Sequence, residues 1–537
     1  MSIIFPFITI GFFLWAIQRI FFWTYFWQLK EYRLDRMSVH LRETKQGRSI
    51  IFSPIAIFNV LLFLTYGLVI FNDSLSSFYQ IIVGSTFILL GIKVISNIIR
   101  NRLKLPTLTG KAFSIIILSI TFISFMVFLP LTDVFVWLVF VTLITPLVIA
   151  GIILFFSFPT EIYRDLQIEK AKSKLKNNKN LLVIAVSGSY GKSSTKEYMA
   201  HILSRRFRVV KTPFSNNTPI GIAKTVLKKI EENTEIFIVE MGAYKKGEIL
   251  ELSQIVYPKI SITTSISDQH LSLFGSLDNA ISTEKELIDS LAKDGIAFFN
   301  GNNKNAFLLS SQTKKKSIIY KVLENNEKIE IYNKNNTFLA SDVEASKNGV
   351  SFFVIVGKRK AYFKTTLLGG HIVENILPSI YIGLMLGMSM KQIQQAVLTL
   401  QSIPKTMAKI TLQNNVVVID DTFNASPESV LSAISYIKLY KRNKKIFVLT
   451  PLIELGEKAK ERHYQIGKEL SKCDYIFLTN KNYYKEIMKG IYDVKSNCIV
   501  SVGSPLKIAQ EIQSIAFGGD IVIFEGKEAN NILTLLL

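Results

Sequence analysis

The sequence predicts a multi-pass α-helical membrane region followed by an α/β region. The chain has 537 residues, of which 49% are hydrophobic, and its mean hydropathy is +0.30. This apolar excess lies almost entirely within residues 1–157, whereas the rest alternates short β-branched runs with helical patterns. Its length allows two or three domains. We therefore predict a membrane region at 1–157 and soluble α/β domains after it.

Five apolar stretches account for the membrane prediction. Each is close to the roughly 20 residues that a helix needs to cross a bilayer. The first has no basic segment before it and no small-residue cleavage site after it, so we expect it to be retained. The stretches cover residues 3–27, 50–71, 78–98, 113–130 and 133–157.

The charges of the connecting loops predict the orientation. Loops 28–49 and 99–112 are rich in Lys and Arg, whereas loop 72–77 contains no base. Positive loops stay in the cytoplasm. We therefore expect a plasma-membrane protein with its N-terminus outside and everything after 157 inside. Arg19 and Lys93 lie in or near apolar stretches, where they either reach to the interface or mark a functional site.

The basic composition points to an anionic lipid surface. The formal net charge is +22, and many Lys and Arg residues flank apolar segments, which favours the lipid bilayer as a partner. No basic-aromatic array indicates nucleic acid. Cys473 and Cys498 have neither disulfide nor metal spacing and fit a reducing cytoplasm. Residues 158–180 are polar, lysine-rich and helical in pattern, and we interpret them as a basic linker.

A glycine turn between a strand and a helix predicts a phosphate site. The apolar run 181–186 is typical of a buried parallel strand, and a helical pattern follows Lys192. Glycines let backbone N–H groups surround phosphate oxygens, and the helix N-terminus adds its positive dipole end. Lys192 is placed to reach the β- and γ-phosphates, and Ser193 or Ser194 to bind Mg²⁺. ATP and Mg²⁺ are therefore the predicted cofactors.

The spacing of this loop identifies a family. It is two residues shorter between its glycines than the common P-loop, and it resembles the Mur ligase and folylpolyglutamate synthetase superfamily. The resemblance implies a P-loop-containing central Mur ligase domain at 181–400 and a C-terminal Rossmann-like α/β domain at 401–537. The predicted ATP-binding residues of the loop are Gly188, Ser189, Tyr190, Gly191, Lys192, Ser193 and Ser194.

The resemblance also implies a catalytic and metal-binding set. Glu240 ends an apolar strand where family members bind Mg²⁺, and His270 matches a histidine at a second Mg²⁺. With Lys192 these form the predicted catalytic residues. Where the family often carries a carbamylated lysine, this chain has Glu284 followed by Lys285. Either Glu284 supplies the oxygen ligand directly, or the register shifts to Lys285.

Later segments extend the resemblance to the branch that adds D-alanyl-D-alanine. Residues 420–427 read DDTFNASP, close to a motif of that branch, and 367–387 contain its Gly-x-His-x-x-x-Asn pattern. A bridging arginine of the family is missing, with Lys405 or Lys409 as possible substitutes. The implied contacts are Asn375 with adenine, Asp420 or Asp421 with ribose or phosphate, and Asn217, Asn424 and Ser426 with substrates.

These features predict an ATP-dependent, ADP-forming ligase of cell-wall (peptidoglycan) precursor synthesis. The resemblance implies that a carboxylate is activated as an acyl phosphate, and that an amino acid or dipeptide amine then displaces the phosphate. Membrane spans stand where soluble members carry a UDP-sugar-binding domain. The acceptor is therefore either muramoyl-peptide-type or lipid-linked. The alternatives are another amino-acid-adding ligase, an ATP-driven transporter or sensor, and a membrane scaffold with an inactive core.

Overall fold

The computed structural model divides the chain into two compact units, Met1–Asp165 and Leu166–Leu537. Each unit has its own buried apolar clusters. The described residues are 4–30, 32–43, 45–69, 71, 73–129, 131–213, 216–267, 271–324, 327, 336–357 and 359–537.

The first unit is helical. Five stretches are long and apolar enough to cross a membrane, namely Phe5–Leu29, Gly47–Val69, Ser74–Ile99, Gly110–Phe128 and Val134–Asn177. Each overlaps one predicted apolar stretch. The last helix passes through residue 157, so the polar segment predicted as a linker begins as a continuation of that helix. The helices are α1 (Phe5–Leu29), α2 (Leu34–Glu43), α3 (Lys45–Ile51), α4 (Pro54–Val69), α5 (Asp73–Ile99), α6 (Gly110–Phe128) and α7 (Val134–Asn177).

Helices α1 and α5 pack closely through glycines. A Cβ added to Gly91 would lie 2.7 Å from the Cα of Gly11, and one added to Gly84 would lie 2.7 Å from Cδ1 of Ile8. Small residues allow such close helix packing. Because both contacts advance in the same direction along the two helices, α1 and α5 are parallel. This agrees with two crossings in the same direction.

The second unit begins with a nine-stranded sheet in the order β2-β3-β1-β4-β5-β6-β7-β8-β9. Strands β1 to β7 are parallel to one another. Strand β8 is antiparallel to both of its neighbours, β7 and β9. The strands are β1 (Leu182–Ser187), β2 (Val209–Lys211), β3 (Ile236–Glu240), β4 (Ile260–Thr263), β5 (Ile296–Asn300), β6 (Lys316–Val322), β7 (Thr337–Ser346), β8 (Gly349–Val356) and β9 (Arg359–Thr365). The helices are α8 (Lys192–Leu203), α9 (Pro219–Lys229), α10 (Glu248–Val256), α11 (Leu271–Phe274), α12 (Leu277–Asp289), α13 (Lys304–Ser311), α14 (Ile372–Met385) and α15 (Met390–Leu398).

A second sheet of six strands follows, in the order β10-β11-β15-β12-β13-β14. Only β10 is antiparallel to its neighbour. The strands are β10 (Ala408–Thr411), β11 (Val417–Asp421), β12 (Lys445–Leu449), β13 (Tyr475–Leu478), β14 (Ile499–Val502) and β15 (Ile521–Glu525). The helices are α16 (Pro427–Ile437), α17 (Ala459–Leu470), α18 (Tyr484–Asp493), α19 (Pro505–Ile515) and α20 (Ala529–Leu536).

Two pairs of adjacent strand ends matter for the site. In the first sheet β1 lies beside β3, with Val186 opposite Glu240. In the second sheet β11 lies beside β15, with Asp421 opposite Glu525. Ligands of open α/β sheets bind at the carboxyl ends of the strands. These four positions therefore mark the edges where chemistry is expected.

Candidate active site

The glycine turn after β1 forms a tight loop that leads into α8. Gly188 has φ +128° and Gly191 has φ +85°, a region that side chains rarely adopt. A Cβ on Gly188 would lie 2.4 Å from Oγ1 of Thr264, and one on Gly191 would lie 2.4 Å from Oδ1 of Asn375. Both glycines are therefore required by conformation and by space.

The loop is held in shape by the end of β4. The backbone N–H of Ser189 donates to the carbonyl oxygen of Ser265 (2.7 Å). The backbone N–H of Tyr190 donates to the side-chain hydroxyl of Ser265 (2.8 Å). The hydroxyl of Thr264 donates to the carbonyl oxygen of Tyr190 (2.6 Å). A loop fixed by its own protein contacts needs little reorganisation to receive a ligand.

The side chain of Lys192 lies within this loop. Its ammonium group donates to the carbonyl oxygens of Gly188 and of Ser189, the latter at 3.2 Å. Burial lowers the pKa of Lys192, while the nearby Glu240 and Glu284 act in the opposite direction. The cation predicted for the phosphates is therefore next to two carboxylates.

Glu240 is held at the end of β3 by groups from α8. The hydroxyl of Ser193 lies 3.0 and 2.9 Å from its two carboxylate oxygens, and the ammonium of Lys196 lies 3.0 Å from Oε2. The hydroxyl of Ser194 instead hydrogen-bonds Tyr198. Of the two serines that the sequence left open for Mg²⁺, Ser193 is thus the one beside Glu240.

Glu284 faces the same loop from α12. It hydrogen-bonds Ser187 and the backbone of Gly188, and burial raises its pKa to about 7 although the charge of Lys192 acts in the opposite direction. Its Oε2 is enclosed and has no hydrogen-bond partner in the described part of the chain. An enclosed oxygen without a donor suits a divalent cation. Ser193, Glu240 and Glu284 therefore fit a Mg²⁺ ion by donor type and position.

His270 lies outside the described residues, so its predicted role stays a prediction. Elsewhere in the described chain, no three His, Cys, Asp or Glu side chains gather as a metal site. The described candidates for oxygen ligands are thus the carboxylates of Glu240 and Glu284 and the hydroxyl of Ser193.

Residues of α9 and α14 border the loop on two further sides. Asn217 lies directly before α9, and a Cβ on Gly242 would lie 2.6 Å from its Nδ2, which places it close to the strand end that carries Glu240. Asn375 on α14 accepts a hydrogen bond from Thr195 (3.4 Å). Burial lowers the pKa of His371, beside the ring of Tyr190, to about 4.

The second sheet contributes a pair of facing carboxyl groups. Asp421 accepts a hydrogen bond from the backbone of Met407 (3.1 Å), and Glu525 accepts one from Ser429 (2.7 Å). Burial raises the pKa of Asp421 to about 7, and burial together with Asp421 raises that of Glu525. Two enclosed carboxyls in contact retain a proton between them. The charges of both also raise the pKa of Tyr190, which lies in the glycine-containing loop 188–194, here named the phosphate loop.

Sequence reasoning missed Glu525. The signal was the acid that ends the strand in FEGK, at 524–527, where the resemblance suggests a K-G-S segment. A strand-end acid is common on surfaces, so the burial and the facing Asp421 were not visible.

The other predicted residues of this half have mixed surroundings. Asp420 accepts hydrogen bonds from the N–H (3.1 Å) and hydroxyl (2.6 Å) of Thr422. Asn424 is exposed. Ser426 is buried and caps α16 by accepting from the N–H of Ser429 (3.1 Å). The structure thus gives Ser426 a clear capping contact, and its predicted substrate contact remains a prediction.

Lys405 and Lys409, which were considered as substitutes for the missing arginine, have different surroundings. Lys409 on β10 donates to Oδ1 of Asn348 (3.1 Å) and to the carbonyl oxygen of Lys347 (3.4 Å), in the turn between β7 and β8. Lys405 is exposed and has φ +62°. Lys409 therefore joins the two sheets through a turn.

A cavity lies next to α8. It has a volume of about 890 Å³ and is bordered by α8, β2 and residues 400–404, which connect the two sheets. Its wall includes Tyr198, which hydrogen-bonds Ser194 at the start of α8. The phosphate loop itself does not line this cavity.

Comparison with known proteins matches both sheets of the second unit to one family. Residues 186–383 match the Mur ligase middle domain, and residues 407–528 match the Mur ligase glutamate ligase domain. The chain belongs to the Mur ligase family, and it is an ATP-dependent, ADP-forming ligase.

Its relatives confirm the branch predicted from the sequence. UDP-N-acetylmuramoyl-tripeptide--D-alanyl-D-alanine ligase of Bacillus subtilis is 29% identical over 64% of this chain and 72% of its own. The structure of MurF from Acinetobacter baumannii has a TM-score of 0.61 at 20% identity, covering 70% of this chain and 80% of the other. That of MurF from Thermotoga maritima with ADP has a TM-score of 0.59 at 23% identity, covering 70% and 83%.

Proposed function

We propose that this chain is a membrane-bound ligase that adds D-alanyl-D-alanine, or a similar amino acid or dipeptide, to a muramoyl-peptide-type acceptor. The observation that supports it most is the preformed phosphate loop with Ser193, Glu240 and Glu284 beside it. The dipeptide and the muramoyl-peptide part of the acceptor are those in the name of the Bacillus subtilis relative. The DDTFNASP segment at 420–427 favours the same amine over other amino acids.

We assign the residues as follows. Lys192, Glu240 and His270 form the catalytic set, and the metal ligands are Ser193, Glu240, His270 and Glu284. ATP is bound by Gly188, Ser189, Tyr190, Gly191, Lys192, Ser193, Ser194, Asn375, Asp420 and Asp421. The substrates are contacted by Asn217, Asn424 and Ser426.

The chemistry follows from these positions. Lys192 and the loop N–H groups hold the terminal phosphates of ATP, so that an acceptor carboxylate oxygen can attack the γ-phosphorus. The bond from the γ-phosphorus to the bridging oxygen then breaks, ADP leaves, and the acceptor carries an acyl phosphate. When bound, Mg²⁺ supplies neutralising charge for this transfer. An amine then attacks the acyl carbon, the C–N bond forms and inorganic phosphate leaves. Closure of the last domain over the intermediate would exclude water.

The domain plan and location belong to the same proposal. Residues 1–157 form the membrane region, 158–180 the basic linker, 181–400 the central ATP-binding domain and 401–537 the C-terminal domain. We place the enzyme in the plasma membrane, with its N-terminus outside and the ligase domains in the cytoplasm. Five membrane-length apolar helices support this. Flotation of the chain with liposomes tests it.

Because five membrane-length apolar helices precede the ligase domains in this chain, we propose a lipid-linked acceptor. The test is ADP release by the purified, detergent-solubilised full chain, with D-alanyl-D-alanine and either a UDP-linked or a lipid-linked acceptor. Preference for the lipid-linked acceptor supports the proposal, and equal turnover of both contradicts it. ATP hydrolysis that needs no acceptor would instead favour a transporter or sensor.

The site assignment has its own variant. Lys192→Ala should lower the ligation rate by more than about 100-fold, because an oriented charge at a transferring phosphate contributes several kcal/mol. Lys228→Ala, which removes an exposed lysine on α9, is the matched control and should retain the rate. Near-normal ligation by Lys192→Ala would contradict the assignment.

A further inference from the structure

A small cavity in the helical unit is lined by cations and aromatic rings. It has a volume of about 210 Å³, large enough for a phosphate or diphosphate group. None of its described lining residues is acidic. They are Gln18, Phe21 and Phe22 of α1 and Arg102, Leu103, Lys104 and Leu105 of the segment between α5 and α6.

The segment that carries the cations is fixed against α1. The side chain of Gln28 donates to the carbonyl oxygen of Thr107 (3.0 Å) and accepts from its N–H (2.9 Å). This double contact fixes Thr107 against the last turn of the helix. The cavity is thus walled by a constrained segment.

The cations of the cavity are free to bind an anion. Neither Arg102 nor Lys104 has a carboxylate partner among the described residues, and both are exposed. A third cation, Arg19, lies 5.4 Å from the ring centre of Phe22, which lines the cavity. Arginine forks and lysine ammonium groups together suit phosphate oxygens.

The depth of these cations matches a lipid headgroup. Helices α1 and α5 run parallel, with Gly91 beside Gly11. At an equal rise per residue, this pair and the pair of Ile8 with Gly84 place Arg19 level with residues 95–99, at the end of α5. The cations therefore gather where a membrane-length helix ends, on the side that the loop charges place in the cytoplasm. Basic pockets at this level bind anionic headgroups.

We infer that this cavity binds the phosphate group of a membrane lipid. The inference rests on the membrane insertion in the proposed function, and it deepens that function by giving a lipid-linked phosphate a place to bind. Phe21, Leu103 and Leu105 offer an apolar wall for the first part of a lipid chain, which favours a lipid over a soluble phosphate.

Tryptophan fluorescence gives a readout that does not depend on ligation. All four tryptophans, Trp15, Trp23, Trp27 and Trp137, lie in the helical unit. Trp23 lies near the cavity, with its ring centre 5.7 Å from the guanidinium of Arg19. The full chain is reconstituted in phosphatidylcholine vesicles, and brominated phosphatidic acid, which quenches tryptophan on contact, is titrated in.

The expected result is saturable quenching in the native protein. Arg102→Gln and Lys104→Gln should each raise the half-saturating lipid fraction about tenfold. Arg100→Gln is the matched control, since it removes the same charge two residues from Arg102 and outside the cavity, and it should raise that fraction less than about threefold. Equal effects of Arg100→Gln and Arg102→Gln would indicate general surface attraction and overturn the inference.

Three further outcomes are decisive. Displacement of the brominated lipid by inorganic pyrophosphate at micromolar concentration would identify a soluble phosphate ligand and overturn the lipid assignment. A chain that releases ADP normally but shows no saturable quenching would overturn this inference and leave the proposed function standing. A chain that does not float with the vesicles would instead contradict the membrane part of the proposed function.

Discussion

The facing carboxyls of Asp421 and Glu525 predict that the second sheet loses local stability as pH rises. Burial raises the pKa of Asp421 from 3.8 to about 7. A carboxyl whose pKa is higher in the folded state binds more protons there, so its contribution to stability is complete below pH 4 and is lost as pH rises through 7. At 1.36 kcal/mol per pH unit, this loss reaches about 4 kcal/mol.

Asp421→Asn should remove most of this pH dependence. The carboxamide oxygen can still accept from Met407, and the amide group can donate to Glu525. Burial still raises the pKa of Glu525 in this variant, so the pH dependence that remains comes from Glu525. We expect the variant to resemble the native protein near pH 4. At pH 8 it should be more stable by up to about 4 kcal/mol.

Hydrogen–deuterium exchange of the full chain measures this locally. Peptides that cover β11 and β15, corrected for intrinsic exchange rates between pH 4 and pH 8, report the opening free energy of the two strands. Asp420→Asn, which changes a carboxyl held by Thr422, is the matched control. Because Asp420 is only the smallest of the causes that raise the pKa of Asp421, this variant should restore much less protection at pH 8 than Asp421→Asn. A decline in Asp421→Asn parallel to that of the native protein would refute the reasoning.

Three further predictions concern the phosphate loop. Because the pKa of Glu284 is about 7 and a cation needs the carboxylate, the Mg²⁺ concentration for half-maximal ADP release should rise as pH falls from 8 to 6. Glu284→Gln should abolish this trend and raise the requirement at pH 8 at least about tenfold. Ser193→Ala should raise the Mg²⁺ concentration for half-maximal ADP release about tenfold, and Ser194→Ala should raise it less than about threefold. Gly188→Ala, whose Cβ would lie 2.4 Å from the hydroxyl of Thr264, should abolish ATP binding in equilibrium dialysis while leaving tryptophan fluorescence unchanged.

Local patterns in the sequence predicted most of the architecture. The long apolar helices of the first unit are apparent because apolar runs of about 20 residues have few alternatives. The phosphate loop is apparent because strand, glycines, lysine and helix follow one another without a gap. Ser193 and Ser194 could not be distinguished, since the phase of a helix at its first turn depends on how the loop before it is held.

Contacts between distant segments were not predictable in this way. Strand β15, near the end of the chain, lies between β11 and β12. Periodicity identifies a strand but gives no order within the sheet, so nothing in the sequence placed Glu525 against Asp421. The same limit applies to Lys409, whose partner is a turn in the other sheet.

The charges around the phosphate loop give a physical reason to assign Mg²⁺. Among the described residues, the carboxyls of Glu240, Glu284, Asp421 and Glu525 outnumber the ammonium groups of Lys192 and Lys196. Burial raises the pKa values of Glu284, Asp421 and Glu525, so the enclosed site disfavours their ionised forms. The anionic phosphates of ATP would be repelled by ionised carboxylates, and a divalent cation between the two would offset this repulsion. The same acid-rich surroundings attract an ammonium group, as a ligase that must bring both a nucleotide and an amine to one place requires.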